Sequence, residues 1–440
     1  MDKKALNLPI LISLVIGNII GTGIYILPAS LAAYGTISLV AWVYTSLGAL
    51  FVALTFAHLS KRYPKTGGPY VYCKKAFGRL TGFIIAYTYW ISNLVSISAL
   101  SVASVGYLGF ILPMLNSNST QYSHVYTLAV EIGFVWLFTI INLIGIHTAG
   151  VVQLFLTIIK ILPLLLITLI GLGSVHLSNL THFTVSNESH FSAVSSAAAL
   201  TFWAFVGLEA ATVPAENTSG YKDIYKATIF GTLIAAGVYI VSTFVLMGMI
   251  PIEQLMHSQF PFAEAATQLF GVNAGAILAL CAVISGLGAL NVCVLIQGQI
   301  VFAAARDNLF PHRFAKLSKH DAPIAAQLLS SSIITFYLIL TIEPILLNQF
   351  NKIALLATLL TLVTYLASML AEVKFSIKGE GAASKGLLSK TALVACVASA
   401  YSIWMISSFE KTLLLSTLML FMAAVPIYYF FIRKQNDATA

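Results

Sequence analysis

Gly17-Asn18-Ile19-Ile20-Gly21-Thr22-Gly23-Ile24 lies inside an apolar run that starts at Leu8 and ends near residue 32. Three glycines within seven residues are costly in a helix interior. The run is long enough to cross a bilayer, where unwound backbone is tolerated only if it lines a cavity. The stretch therefore predicts a discontinuous helix. Its first half would leave carbonyls free to attract a cation. Its second half would begin with free amides and the positive end of a helix dipole, an anion site. The competing reading is a small-residue face for close helix packing.

A second stretch has the same character. Thr201-Phe202-Trp203-Ala204-Phe205-Val206-Gly207-Leu208-Glu209 carries a mid-span glycine, an adjacent carboxylate and several aromatics. Carboxylates within a membrane are costly and usually mark function. Five spans separate Gly21 from Gly207, so the two runs enter the membrane from opposite sides. That predicts an inverted repeat of five plus five helices, about 8–174 and 194–373, with accessory helices at 391–432. Paired broken spans at equivalent positions of two halves point to the substrate site of a transporter.

The rest of the chain fits this reading. Of 440 residues, 59% are apolar and 9% charged, with mean hydropathy +0.91. A soluble domain is nearer a quarter charged, so a soluble enzyme and a disordered chain are excluded. The long apolar runs also exclude a membrane β-barrel. Twelve segments are expected to cross the bilayer as helices, making an all-α membrane protein with one transporter domain over 1–440. They are 8–32, 36–58, 82–112, 125–146, 151–174, 194–214, 227–250, 273–304, 323–342, 351–373, 391–408 and 412–432. The lysines ahead of Leu8 lack a cleavage site, so the first span is expected to be retained.

The net charge of +8 does not indicate nucleic acid, because the basic residues lie between spans and form no patch. Twenty of them fall on one side: Lys3, Lys4, Lys61, Arg62, Lys65, Lys74, Lys75, Arg79, Lys222, Lys226, Arg306, Arg313, Lys316, Lys319, Lys374, Lys378, Lys385, Lys390, Arg433 and Lys434. Only Lys352 and Lys411 fall on the other. The asymmetry predicts a plasma (inner) membrane protein with both termini cytoplasmic. Cys73, Cys281, Cys293 and Cys396 lack metal-ligand spacing. The sequons at Asn118, Asn179 and Asn187 are expected outside. No phosphate-binding glycine loop or catalytic cluster is present, so neither a cofactor nor an enzyme activity is expected.

Four motifs resemble the amino acid–polyamine–organocation transporter superfamily. They are the Gly17–Ile24 stretch, Pro64-Lys65-Thr66-Gly67-Gly68-Pro69-Tyr70-Val71-Tyr72 with Phe77-Gly78, the Trp203–Glu209 stretch, and Ala305-Arg306-Asp307-Asn308-Leu309-Phe310-Pro311. They run through the whole chain in order. The subgroup most similar is the bacterial basic amino acid antiporters of the arginine/agmatine type. The resemblance implies a leucine-transporter-type fold, an amino acid substrate and alternating access.

It also implies residue roles. The substrate carboxylate would sit at Gly21, Thr22 and Gly23, and its ammonium on carbonyls of Ile19, Trp203 and Val206. Trp203 would cover the substrate, and Glu209 would form a gate with Tyr89 and Tyr365. The distal pocket departs from the arginine pattern. A stacking aromatic becomes Cys293, an Asn becomes Ile97 and a Ser becomes Ala357, while Asn93 replaces a smaller residue. Losing the aromatic forfeits roughly 0.5–2 kcal/mol of cation–π attraction. Another α-amino acid or a relative is therefore expected.

Lys160 lies in the middle of the fifth span, in Leu154-Phe155-Leu156-Thr157-Ile158-Ile159-Lys160-Ile161-Leu162-Pro163. A charged lysine there costs about 3 kcal/mol, which makes it a candidate proton carrier. Proton-coupled members of the superfamily have a lysine at a similar place, standing in for a coupling sodium beside the first break. Ser285 is its expected neighbour. The competing reading is a permanent structural ammonium on carbonyls.

Proton symport and amino acid exchange both stay open, as does a homodimer. Other readings are a major facilitator fold, an intramembrane enzyme and a nutrient sensor that does not transport. The short 6–7 connector argues against the first, the lack of convergent titratable groups against the second, and the short tails against the third. Orientation is testable by single-cysteine labelling. Lys319→Cys is expected to react only from the cytoplasm and Lys411→Cys only from outside; the reverse would invert the topology.

Overall fold

The computed structural model describes residues 6–115, 123–144, 146–185, 189–218, 220–319, 321–343, 346–379 and 389–429. Lys3, Lys4, Lys385, Arg433 and Lys434 of the charge pattern lie outside these residues, as do the sequons at Asn118 and Asn187. The described residues are helical apart from turns and one isolated bridge between Leu6 and Thr218. The first span divides into α1 (Leu8–Ile19) and α2 (Gly23–Ala32), followed by α3 (Ile37–Arg62), α4 (Pro69–Phe77), α5 (Arg79–Ile111) and α6 (Ser123–Ile144). Next come α7 (Ile146–Gly171), α8 (His190–Trp203), α9 (Tyr221–Met249), α10 (Ile252–Leu255) and α11 (Pro261–Phe270). The chain continues through α12 (Val272–Arg306), α13 (Ile324–Leu340), α14 (Leu346–Lys378), α15 (Lys390–Ser407) and α16 (Lys411–Ile427).

Among the described residues, nine spans are long and apolar enough to cross a membrane, with α1 and α2 counted together. The 17-residue helices α13 and α16 are apolar but shorter. The first span is 94% buried and α5 and α12 are 78% buried, against 33% for α6 and α7. The first span, α5 and α12 therefore form the core, and α6 and α7 the periphery. Glycines let the backbones close up where lipid supplies no hydrophobic drive. Gly231 of α9 faces Val15, Gly286 of α12 faces Ser104 and Thr22, and Gly48 of α3 lies under the ring of Tyr401 on α15.

The expected break in the first span is present. α1 stops at Ile19, Ile20 turns extended with ψ 91°, and α2 begins at Gly23. The second break differs from the expectation of two half-helices. α8 stops at Trp203, and no α-helix follows it before α9. Residues up to 217 form turns with two short 3₁₀ pieces, Ala210–Thr212 and Ala215–Asn217. Gly207, with φ +98°, turns the chain out of the helical path. Pro214 supplies no amide and would clash with the carbonyl four residues before it, so the helix does not resume.

Two connectors hold more structure than their sequence suggests. The glycine-rich motif after α3 folds into α4, which starts at Pro69 and ends at Gly78 with φ +93°. The segment before α12 contains α10 and α11.

The contact under Gly48 gives a packing test. A Cβ there would overlap the Tyr401 ring. Gly48→Ala is expected to destabilise by about 1–3 kcal/mol through overpacking. The measurement is thermal unfolding of the purified protein. An unchanged melting temperature would mean that α15 gives way without cost.

Candidate functional site

The broken end of α1 leaves carbonyls inside the bundle, where an unmet buried group costs several kcal/mol. Side chains from three other helices meet them. Lys160 Nζ on α7 donates to Gly17 O at 2.7 Å and also to Ile20 O. Ser285 Oγ on α12 donates to Gly21 O at 3.1 Å. The Tyr239 hydroxyl on α9 lies 2.5 Å from Ile19 O and 3.1 Å from Ala204 O, so it joins the two breaks. Lys160 is fully buried, and its own carbonyl accepts from Tyr25 at 3.2 Å.

The second break is held from both sides. Asn18 Nδ2 donates to Gly207 O at 3.3 Å, while the Cys293 thiol donates to Asn18 Oδ1 at 3.1 Å. On the other side, Gly207 N donates to the Tyr365 hydroxyl at 3.0 Å. That hydroxyl donates to Glu209 Oε2, and the Tyr89 hydroxyl donates to Oε1. Glu209, 2% exposed, thus has a phenol on each oxygen. A Cβ at Gly207 would strike Asn18, so this position needs glycine for space as well as for its φ.

Between the breaks is a narrow cavity, with about 30 Å³ of room for water-sized spheres. Ile19, Gly21, Gly23, Tyr89, Asn93, Trp203, Val206, Glu209 and Cys293 line it, all of them residues singled out from sequence. Thr22 lies in the same turn, fully buried, and its hydroxyl has no partner among the described residues. Trp203 closes over Gly23, where a Cβ would come 2.9 Å from the indole Nε1. Phe350 packs edge-on against the indole at 6.1 Å. The expected ammonium site is partly taken: Ile19 O faces Tyr239, and Trp203 O accepts from Val206 N at 3.1 Å.

Other expected residues fall elsewhere. Ile97 and Ala357 are fully buried but do not line the cavity. Tyr365 reaches it only through Glu209 and Gly207. Lys160 and Ser285 sit at the α1 break outside the lining. Asn18, Ser92, Ser96, Leu100, Ala204, Gly207 and Thr361 line the cavity without having been singled out as ligands. Helical spacing offered a signal for some. Ser92 and Ser96 follow Tyr89 at three and seven residues, and Thr361 is one turn from Tyr365. The Thr361 hydroxyl is buried with no partner among the described residues.

Ion pairs and hydrogen bonds tie the helices together at one end of the bundle. Arg306 grips Glu216 with two contacts of 3.1 Å, and Lys74 pairs with Asp307 at 2.8 Å. Arg62 pairs with the buried Glu372 at 3.0 Å. Leu6 N donates to Asn217 O at 2.8 Å, and Glu216 N donates to Thr66 Oγ1 at 3.3 Å.

The family model described as "Amino acid permease" matches residues 6–439. The chain is 30% identical to a "Putative arginine/ornithine antiporter" of Bacillus subtilis (strain 168), over 97% of this chain and 96% of that protein. It is 32% identical to a putrescine transporter of Escherichia coli (strain K12), over 92% and 91%. It is 28% identical to a cadaverine/lysine antiporter of the same organism, over 99% and 96%.

The network around Glu209 gives a test. Tyr365→Phe removes a bond to Glu209 and the acceptor for Gly207 N, whereas Tyr89→Phe removes one bond. A hydrogen bond to a carboxylate is worth about 1.5–3 kcal/mol. Solute uptake into vesicles by Tyr365→Phe is expected to fall by about tenfold or more, and further than that by Tyr89→Phe. Equal uptake by both variants and the wild type would show the cluster to be idle.

Proposed function

The chain belongs to the amino acid permease family, and from that membership we propose that it is a secondary active antiporter exchanging an amino acid for a related amine by alternating access. One observation carries the reading. The cavity lies between two helix breaks, with the unpartnered Thr22 hydroxyl and the first amides of α2 on one side and Glu209 on the other. The first side suits a carboxylate, because the dipole of α2 points its positive end there. The second suits an ammonium group. The solutes in the relatives' names, arginine, ornithine, putrescine, cadaverine and lysine, carry such groups.

The distal end favours an ammonium over a guanidinium. Cys293 lines the cavity from α12 and spends its thiol on Asn18, so α12 offers no ring there for a planar cation to stack upon. Twelve crossings follow if α8, α13 and α16 are added to the nine longer spans. In this reading they form the five-plus-five inverted repeat with two accessory helices, in the plasma (inner) membrane with both termini cytoplasmic. The tied end is then the cytoplasmic gate, since Lys74, Arg62 and Arg306 belong to the basic side.

Lys160 is, in this reading, a fixed cation rather than a proton carrier. Its ammonium is spent on the Gly17 and Ile20 carbonyls at the α1 break. Proteoliposomes separate the alternatives. Labelled ornithine and lysine are expected to enter vesicles preloaded with an amino acid or diamine, and to stay out of empty ones under an inward proton gradient. Gradient-driven entry into empty vesicles would overturn exchange, and no entry at all would overturn transport. Lys160→Ala is expected to abolish exchange. A variant that kept exchanging would overturn the fixed-cation reading.

A further inference from the structure

A second cavity opens between the ends of α3 and α9 and shares no lining residue with the first. It has a volume of about 550 Å³. His58 and Lys61 of α3 face Lys222, Tyr225 and Lys226 of α9 across it, and Ile229 and Phe230 form its apolar wall. Among the described residues no carboxylate lines it. Lys61, Lys222 and Lys226 make no ion pair among the described residues, in contrast to Arg62, which is held by Glu372 on another face of α3. His58 Nδ1 is buried there without a hydrogen-bond partner among the described residues. Lys61 lies 5.9 Å over the ring of Tyr221, so two aromatics and three ammonium groups share the mouth.

The groove changes character away from this mouth. Phe230, Leu233 and Ile234 of α9 are 53%, 46% and 45% exposed. On α3, Leu47 is 54% exposed on the face that leads to His58 and Lys61. Phe230, Leu233 and Ile234 make the surface beyond the mouth apolar, so a soluble anion would leave that wall unused. A molecule with an anionic head and an apolar tail satisfies both parts. We propose that the groove binds an anionic phospholipid, its phosphate among Lys61, Lys222 and Lys226 and its acyl chains against Phe230 and Leu233. Clustered lysines at a membrane surface attract such headgroups.

The site adjoins the α1 break. Gly231 follows Phe230 directly and faces Val15 and Ile16 of α1. Two turns on, Tyr239 holds the α1 break through Ile19 O. A lipid that steadies the end of α9 therefore steadies α1.

Native mass spectrometry of the purified full-length chain tests the proposal. After delipidation, phosphatidylglycerol is expected to bind in preference to phosphatidylcholine with the same acyl chains. Lys222→Gln with Lys226→Gln is expected to weaken phosphatidylglycerol roughly fivefold per lysine, whereas Lys316→Gln with Lys319→Gln leaves it unchanged. Equal binding of the two lipids, or equal losses in the two double variants, would overturn the site. Displacement of phosphatidylglycerol by inorganic phosphate alone would assign the groove to a soluble anion and overturn the lipid reading. In vesicles of phosphatidylethanolamine, adding phosphatidylglycerol is expected to change the thermal stability of the wild type but not of the Lys222/Lys226 variant.

Discussion

Unmet carbonyls at the end of α1 are the constraint from which the rest of the molecule follows. Lipid cannot bond them, and water is scarce in the core. Lys160, Ser285 and Tyr239 come from α7, α12 and α9 to do so. The break is thus a cross-link among four helices rather than a weak point. A polar chain extends it outward. Thr157 donates to Ser13 O, Gln153 donates to Thr157, and Asn291 connects Gln153 to Asn142 of α6.

Against that background, the groups left over are informative. Buried hydroxyls in proteins normally find partners. Thr22 and Thr361 have none among the described residues, and they flank the cavity on α1–α2 and α14. Glu209 is the reverse case, with both oxygens held by phenols and its neighbour Gly207 tied to one of them. The site thus pairs a rigid carboxylate with open hydroxyls, fixed geometry on one wall and spare bonding capacity on the other.

Much of this was legible in the sequence because it depends on local chemistry. The Gly17–Gly23 spacing located the first break to within a residue or two, and the lone carboxylate after Gly207 marked the second. The meeting of Tyr89, Glu209 and Tyr365 came from the resemblance, since nothing local relates residues so far apart. What failed to show depends on long-range geometry. Asn18 matters because Gly207 has no side chain, and Tyr239 because α9 crosses α1. The loss of helix after Trp203 needed the combined effect of Gly207 and Pro214, each of which a helix alone can sometimes absorb. The resemblance implies a pocket position for Ile97 and Ala357, and their side chains are buried outside the cavity lining instead.

Lys160 carries a further consequence. A cation bound from solution has a dissociation constant, so its occupancy falls when the medium is diluted. A cation on a side chain has none. Its effective concentration at the Gly17 and Ile20 carbonyls is set by the length of a lysine stem and the position of α7. Those two carbonyls therefore have a partner that needs no ion from the medium.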